Sequence, residues 1–440
     1  MKIGVVGTGY VGLPTGVAFA EHGHEVVCID TDPERIAKLQ QGISPIVEKG
    51  LPEALQNTLE SGDLRFTNDL EEGIDGAQTI FCAVGTPETE TGAANLEYVY
   101  KVAKDVGGLL SAYTVFVNKS TVPIGTAAAV REVIAAETDI EFDVVSNPEF
   151  MAEGSALEDV RKPDRIVIGT SSPRALEIMR EVYRTYVRNG HPLMVMSEVS
   201  AELTKYGSNG ALATKVSYNN ELATLAQAVG ADIEDVRLAM AADPRIGKEF
   251  MYVGPGWGGS CFPKDSRALI YAAEKAGVDL KVIKAADEAN DTKMRELPGN
   301  VINYFGGDLT GRKIALWGLA FKKNTDDIRE SPAIFTLEAL LAAGAEVVAY
   351  DQAAMENAQR RYADNERVTF GQRYDVLEGA DALVVATDWE QFRVVNMQRL
   401  KDKMKSPVIF DGRNMIDYEI AKKGGVYYQG NGRPILDPGV

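Results

Sequence analysis

The sequence predicts an α/β protein: two doubly wound parallel-sheet domains joined by a long central helix in an all-helical middle domain. Three observations carry this reading. Near-continuous apolar runs alternate with helical stretches from Lys2 to Gly169. That rhythm stops near residue 200 and resumes near residue 310. Each of the two rhythmic halves opens with a strand, a glycine turn, a helix, and a strand ending in aspartate.

Residues 3–6 form the first expected strand, and 25–30, 79–84 and 114–117 follow. Residues 143–146 and 165–169 extend the same sheet. Apolar runs of this kind, separated by helices such as 33–40, suit strands buried on both faces. From Ser200 to Ala228 no strand signal interrupts a single helical stretch, which Gly230 ends. Gly207 and Gly210 lie inside it, at a cost of about 1 kcal/mol each relative to alanine. Residues 232–240 and 263–277 read as further helices. In the last part, 313–319, 345–351, 381–387 and 408–411 read as strands, with a helix at 332–343. The expected domains are 1–198, 199–300 and 301–440.

A chain of 440 residues exceeds one ordinary core, in line with this division. Hydrophobic residues are 45% and charged ones 25%, a globular balance with no apolar run near the ~18 residues that span a bilayer. The net charge of −18 opposes binding to nucleic acid or to an anionic membrane, since both need a positive surface. Three cysteines make no disulfide framework and read as reduced thiols of a cytoplasmic protein. The first strand begins at Lys2, so no signal peptide is expected. His22, His24 and His191 have no zinc-type spacing with the cysteines, so no metal is expected.

Gly7-Thr8-Gly9-Tyr10-Val11-Gly12 follows the first strand and precedes a helical pattern. Such glycines allow a tight turn and bring backbone amides to a pyrophosphate at a helix N-terminus. Alone the motif is weak. Here Asp30 ends the next strand, 18 residues beyond Gly12, which is the context a Rossmann-like dinucleotide site requires. Asp30 would bind the ribose 2′-hydroxyl and repel a 2′-phosphate, favouring NAD over NADP, although Arg35 lies close. Val84-Gly85-Thr86-Pro87 and Ser120-Thr121-Val122-Pro123 follow two more strands, where ligands of parallel sheets gather. Each could equally be a capped helix start.

Residues 254–265, Gly-Pro-Gly-Trp-Gly-Gly-Ser-Cys-Phe-Pro-Lys-Asp, are the most informative stretch. Ser260 is placed to cap a helix with Pro263 in its first turn, which sets Cys261 where a helix dipole favours thiolate. Lys264 adds positive charge, and Asp265 falls on the same face four residues on. This suits an activated nucleophile, though a buried cap cysteine has the same pattern. Cys28 and Cys82 lie in apolar strands and read as inert. Lys205 and Asn209 share a helix face, as an oxyanion site or as a solvated surface pair. Asn147-Pro148-Glu149-Phe150 follows another strand end.

Together these residues resemble the UDP-glucose/GDP-mannose dehydrogenase family, whose members oxidise an alcohol of a nucleotide sugar twice, to a carboxylate. The likeness covers nearly the whole chain. It rests on Gly7 to Gly12, Thr86-Pro87, residues 120–123 and 147–150, Lys205 with Asn209, residues 258–265, Phe321-Lys322-Lys323, and Arg329-Glu330-Ser331-Pro332. The resemblance implies NAD as cofactor, UDP-glucose as substrate and Cys261 as covalent nucleophile. It gives Lys205 and Asn209 to oxyanion charge, Asp265 and a water near Thr121 to proton transfer, and Glu149 to thioester hydrolysis. By the same resemblance Tyr10, Val11, Glu153, Lys264 and Arg329 contact the cofactor. Phe150, Tyr252, Gly254, Gly258, Phe262, Phe321, Lys322 and Arg413 contact the sugar nucleotide, and Arg245 reaches a neighbouring subunit's site. A homodimer or higher homo-oligomer is implied.

Competing readings stay within reach of this scaffold. GDP-mannose and UDP-N-acetyl-hexosamine dehydrogenases are opposed by Cys-Phe-Pro-Lys-Asp at 261–265 and by Asp-Pro-Arg-Ile-Gly at 243–247. A non-catalytic sensor of nucleotide sugars has no need of Cys261, Lys205, Asn209 and Asp265 together. A two-electron β-hydroxyacid dehydrogenase needs neither the cysteine nor the second nucleotide-binding domain.

Overall fold

The computed structural model describes residues 1–89 and 91–439. Contacts divide the chain into two compact units, 1–208 with 267–278, and 209–266 with 279–440.

The first unit is built on eight strands: β1 (Lys2–Val6), β2 (Glu25–Ile29), β3 (Leu64–Thr67), β4 (Thr79–Cys82), β5 (Thr114–Asn118), β6 (Phe142–Ser146), β7 (Ile166–Gly169) and β8 (Leu193–Met196). Their order is β3-β2-β1-β4-β5-β6-β7-β8. The first six run parallel, β7 pairs antiparallel with β6, and β8 pairs parallel with β7. Thus β7 departs from the simple extension of a parallel sheet that residues 165–169 suggest. Apolar clusters cover both faces. Phe19, Phe81, Tyr183 and Tyr186 belong to one; Val99, Ala103, Val130 and Ile134 belong to the other. The strand order reverses between β1 and β4, so the turns after β1, β4, β5 and β6 surround a topological switch point.

The second unit holds six parallel strands: β9 (Lys313–Trp317), β10 (Glu346–Tyr350), β11 (Val368–Phe370), β12 (Ala382–Val385), β13 (Val408–Asp411) and β14 (Tyr427–Gly430). Their order is β11-β10-β9-β12-β13-β14, the same winding as β3 to β6. The helices Ile233–Ala241 and Lys281–Tyr304 also belong here. The second of these, 24 residues with Pro298 inside it, carries no clear sequence signal.

The long helix runs Glu198–Val229, 32 residues, and starts in the first unit. Gly230 stops it with φ +76°. Among the described residues, ten of the fourteen strands coincide with expected ones. The other four, β3, β8, β11 and β14, are the edges of the two sheets. No helix among the described residues is long and apolar enough to cross a membrane.

Candidate active site

The turn after β1 shows why its glycines are needed. Gly7 has φ +100°, and a Cβ there would stand 2.6 Å from the Ala83 carbonyl oxygen. A Cβ on Gly12 would stand 1.9 Å from the Gly7 oxygen. Gly9 differs: a Cβ there would meet nothing within 4 Å. It is the open point of the turn, ahead of the helix Gly12–Glu21, which no side chain caps at Val11. Asp30 closes the site from β2. Its Oδ2 accepts from the Thr8 amide at 2.9 Å and the Thr8 hydroxyl at 2.7 Å, and lies 3.6 Å from Arg35 Nη1. Burial opposes its ionisation, but these donors and the Asp32 amide outweigh it and hold the carboxyl below its ordinary range. An open cradle, an uncapped helix and an ionised acid at the ribose position fit a dinucleotide.

The turns after β4 and β5 are tied together. The Ser120 hydroxyl donates to the Val84 carbonyl at 2.7 Å, and the Thr86 hydroxyl donates to the Thr121 carbonyl at 2.8 Å. These protons are committed to the protein, so toward a ligand the two hydroxyls are acceptors. Pro87 continues the first turn, and the Asn95 amide donates to its carbonyl at 2.7 Å. Glu153 lies in the turn before the helix Ala156–Arg161.

After β6, Glu149 and Lys205 form a buried ion pair, Oε1 to Nζ 2.7 Å. The second Glu149 oxygen accepts from the Met151 amide at 2.6 Å. Burial opposes the charge on Glu149, but Lys205 overcomes it and the carboxyl sits below its ordinary range. Phe150 stacks beneath Arg165, whose guanidinium carbon is 3.8 Å from the ring centre. Lys119 lies outside the residues that the sequence singles out. Lys119 is buried at the end of β5, donating to Asn147 Oδ1 at 3.3 Å, where the Tyr183 hydroxyl also donates at 2.6 Å. Burial, against Glu149 and with Lys205, brings its ammonium down to about 8. The only sequence signal was a lysine directly following an apolar strand.

In the second unit the glycine loop is held by close backbone approach. A Cβ on Gly258 would lie 1.8 Å from the Glu330 oxygen, and the Gly259 amide donates to the Arg329 carbonyl at 3.2 Å. Phe321 packs on Gly259, where a Cβ would come within 2.6 Å of its ring. The helix begins at Phe262, so Cys261 is its flanking residue, one position later than a Ser260 cap would give. The Asp265 amide donates to the Cys261 carbonyl at 2.9 Å, and Ser260 Oγ lies 3.6 Å from the Cys261 sulfur. Asp265 is fully buried, with both oxygens engaged: Lys264 Nζ at 2.6 Å and Asn209 Nδ2 at 2.6 Å. Lys205 and Asn209, one helical turn apart, are therefore each tethered to a carboxylate. Trp257 donates its indole N–H to Ser217 at 2.9 Å and meets Phe262 edge-on, so it belongs to the packing behind the loop. Cys28 and Cys82 are buried in strands, which pushes each thiol up to about 12.

The second sheet repeats the form of the first without its ligand chemistry. Asp351 ends β10 as Asp30 follows β2, but it is buried. Its oxygens accept from the amides of Leu319, Ala320, Ala353 and Ala354 and from the Trp389 indole. No capacity remains for a ribose. Arg413, after β13, donates to the Phe321 carbonyl at 2.9 Å and the Ala386 carbonyl at 3.1 Å, and stands where a Cβ on Gly254 would be. Burial pulls its guanidinium below its ordinary range. The Lys322 ammonium is 5.5 Å from the Phe321 ring centre. Three expected residues take other partners. Arg329 pairs bidentately with buried Asp327, exposed Arg245 pairs with Asp243, and Tyr252 lies under Arg237.

A dinucleotide-binding sheet, a second sheet of the same winding and a cysteine beside a buried Asp–Lys–Asn cluster define a nicotinamide-dependent dehydrogenase. Family models bear this out. Those described as the NAD binding, central and UDP binding domains of the UDP-glucose/GDP-mannose dehydrogenase family match residues 1–187, 199–292 and 315–418. The chain belongs to that family. It is 44% identical to a UDP-glucose 6-dehydrogenase of Pseudomonas aeruginosa, over 99% of this chain and 98% of the relative. It is also 44% identical to one of Rhizobium meliloti, over 99% and 100%. A solved UDP-glucose dehydrogenase from Pyrobaculum islandicum matches with TM-score 0.88 and 39% identity, covering 94% of each chain.

Proposed function

We propose that this enzyme oxidises UDP-glucose to UDP-glucuronate in two NAD-dependent steps, with Cys261 holding the intermediate. The observation that carries the reading is Cys261 at the start of the helix Phe262–Lys275, four residues before an Asp265 buried against Lys264 and Asn209. Likeness to curated UDP-glucose 6-dehydrogenases along the full chain supports the substrate.

Bound NAD supplies the hydride acceptor for each oxidation. Gly7, Gly9 and Gly12, with Tyr10 and Val11, receive its pyrophosphate. Asp30 takes the ribose, flanked by Arg35, and Val84, Thr86, Pro87, Ser120, Glu153, Lys264 and Arg329 complete its contacts. Asp265 and a water held near Thr121 accept the proton of the C6 hydroxyl. Lys205 and Asn209 oppose negative charge as it develops on that oxygen. The Cys261 thiolate adds to the aldehyde and forms a C–S bond, giving a thiohemiacetal. Loss of a second hydride gives a thioester. Glu149 activates the water that breaks the C–S bond, releasing carboxylate and thiol. Two hydrides leave and one water enters per sugar. The covalent bond keeps the aldehyde from escaping between oxidations.

Residues 1–198 serve NAD and 301–440 the uridine diphosphate, with Arg413 and Lys322 as its cations. Phe150, Tyr252, Gly254, Gly258, Phe262 and Phe321 line the sugar nucleotide. Exposed Arg245 completes the site of a neighbouring subunit in a cytoplasmic homodimer or larger assembly. The test is NADH formation with UDP-glucose, GDP-mannose and UDP-N-acetylglucosamine in parallel. Turnover of UDP-glucose alone is the expected result. Turnover of another sugar nucleotide in its place would overturn the substrate, and silence with all three, despite NAD binding, would overturn catalysis.

A further inference from the structure

Glu202 is buried in the first turns of the long helix, three residues before Lys205. The reaction above gives it no work. Its Oε2 accepts from the Gly125 amide at 2.6 Å, and its Oε1 from the Ala127 amide at 2.8 Å and the Ser146 hydroxyl at 3.3 Å. Gly125 is the residue before the helix Thr126–Ala135, and no side chain of that helix caps it. The cap is supplied instead from another element. An acid near a helix N-terminus is favourable, and here it costs a fully buried carboxylate. Burial pushes the Glu202 carboxyl up, and the two amides and Ser146 only partly offset this. A buried acid of this kind is an expensive way to cap a helix that a local serine or aspartate would cap cheaply.

What the carboxylate joins explains the cost. Thr126 donates its hydroxyl to the Pro123 carbonyl at 2.6 Å, and Thr86 donates to the Thr121 carbonyl. The 120–123 turn is thus held between Glu202 on one side and the β4 turn on the other. Glu202, Lys205, Ser120 and Thr121 line the same small cavity of about 10 Å³.

We propose that Glu202 is a positioning residue, which locks the Thr121 turn to the helix that presents Lys205. The proposal rests on the functional reading above for the importance of those two residues, but the clamp is a property of the chain itself. Misplacement of reacting groups by about 1 Å costs on the order of a hundredfold in rate.

The test uses Glu202→Gln and Glu202→Asp in the full chain. Glutamine keeps the size but turns one acceptor into a donor facing an amide. Aspartate keeps the charge but falls short by a methylene. Both are expected to lower kcat about ten- to a hundredfold, with KM for the sugar nucleotide and Kd for NAD changed by less than about threefold. Hydrogen exchange at Gly125 and Ala127 should accelerate by about tenfold or more, because each amide loses a bond to a charged acceptor. Unchanged exchange would overturn the clamp. Faster exchange with wild-type kcat, or a parallel loss of kcat, KM, NAD affinity and thermal stability, would overturn the positioning role. The exchange measurement needs no substrate. If the wild type itself yields no NADH from UDP-glucose, the functional reading falls while the clamp is still judged.

Discussion

Glu149 and Lys205 pair at 2.7 Å with their side chains only 5% and 4% exposed. Each therefore places its charge directly against the other in a buried site. Breaking such a pair from one side leaves an uncompensated buried ion and costs about 3–5 kcal/mol.

Glu149→Gln should accordingly lower stability at neutral pH, and it should also flatten the response to acid. The Glu149 carboxyl is held below its ordinary range in the fold, so its stabilising effect is complete above the unfolded value of about 4.3. That effect is lost as pH falls through the lower, folded value. Thermal unfolding from pH 7 to pH 3 checks this: the wild type should lose the larger share. If Glu149 also activates the hydrolytic water, the same variant should accumulate a covalent adduct on Cys261, visible as a gain in intact mass when substrate is present.

Lys119 carries the opposite sign. Its ammonium is brought down from 10.5 to about 8, chiefly by burial. Below pH 8 the fold bears the cost of a buried charge, on the order of 3 kcal/mol. The cost fades as pH rises from 8 toward the unfolded value. Lys119→Met should raise Tm at pH 7, with a gain that shrinks by pH 10. A gain that stays constant across that range would show that the charge is not the cause.

Two glycines of one motif should behave differently. A methyl on Gly9 meets nothing within 4 Å, whereas one on Gly12 would lie 1.9 Å from the Gly7 oxygen. Gly9→Ala should keep Tm nearly unchanged, within about 0.5 kcal/mol of stability, and weaken NAD binding. Gly12→Ala should lose stability as well. Calorimetry and a fluorescence titration with NAD separate the two effects. Equal losses of stability would contradict the division of labour.

Asp30 should govern cofactor choice. Its carboxylate stands 3.6 Å from Arg35, which is partly exposed. Asp30→Ser removes the charge that would repel a 2′-phosphate and releases the arginine to meet one. The ratio of kcat/KM for NAD over NADP should fall by about tenfold or more, one lost charge-assisted contact. An unchanged ratio would mean that the ribose is held elsewhere.

Much of this was legible in the sequence, and what was not has a common cause. Interior strands such as β4 and β5 are buried throughout and read as apolar runs. The missed strands β3, β8, β11 and β14 are sheet edges of three or four residues, which need no such run. β8 shows this plainly, with Met194 and Val195 exposed. At the site, Cys261, Asp265 and the Gly7–Gly12 turn announce themselves through local spacing. Lys119 and Glu202 do not. Their meaning arises from partners far along the chain, Asn147 for one and Gly125 and Ala127 for the other. Trp257 likewise takes its role from a distant partner, with its indole on Ser217 and its ring against Phe262.

The most direct measurement counts NADH released per UDP-glucose, with NAD in excess, for the wild type and for Cys261→Ala. Two NADH per sugar from the wild type, and at most one from the variant, is the predicted result. Two from both proteins would contradict a covalent cysteine, and one from the wild type would contradict a four-electron oxidation.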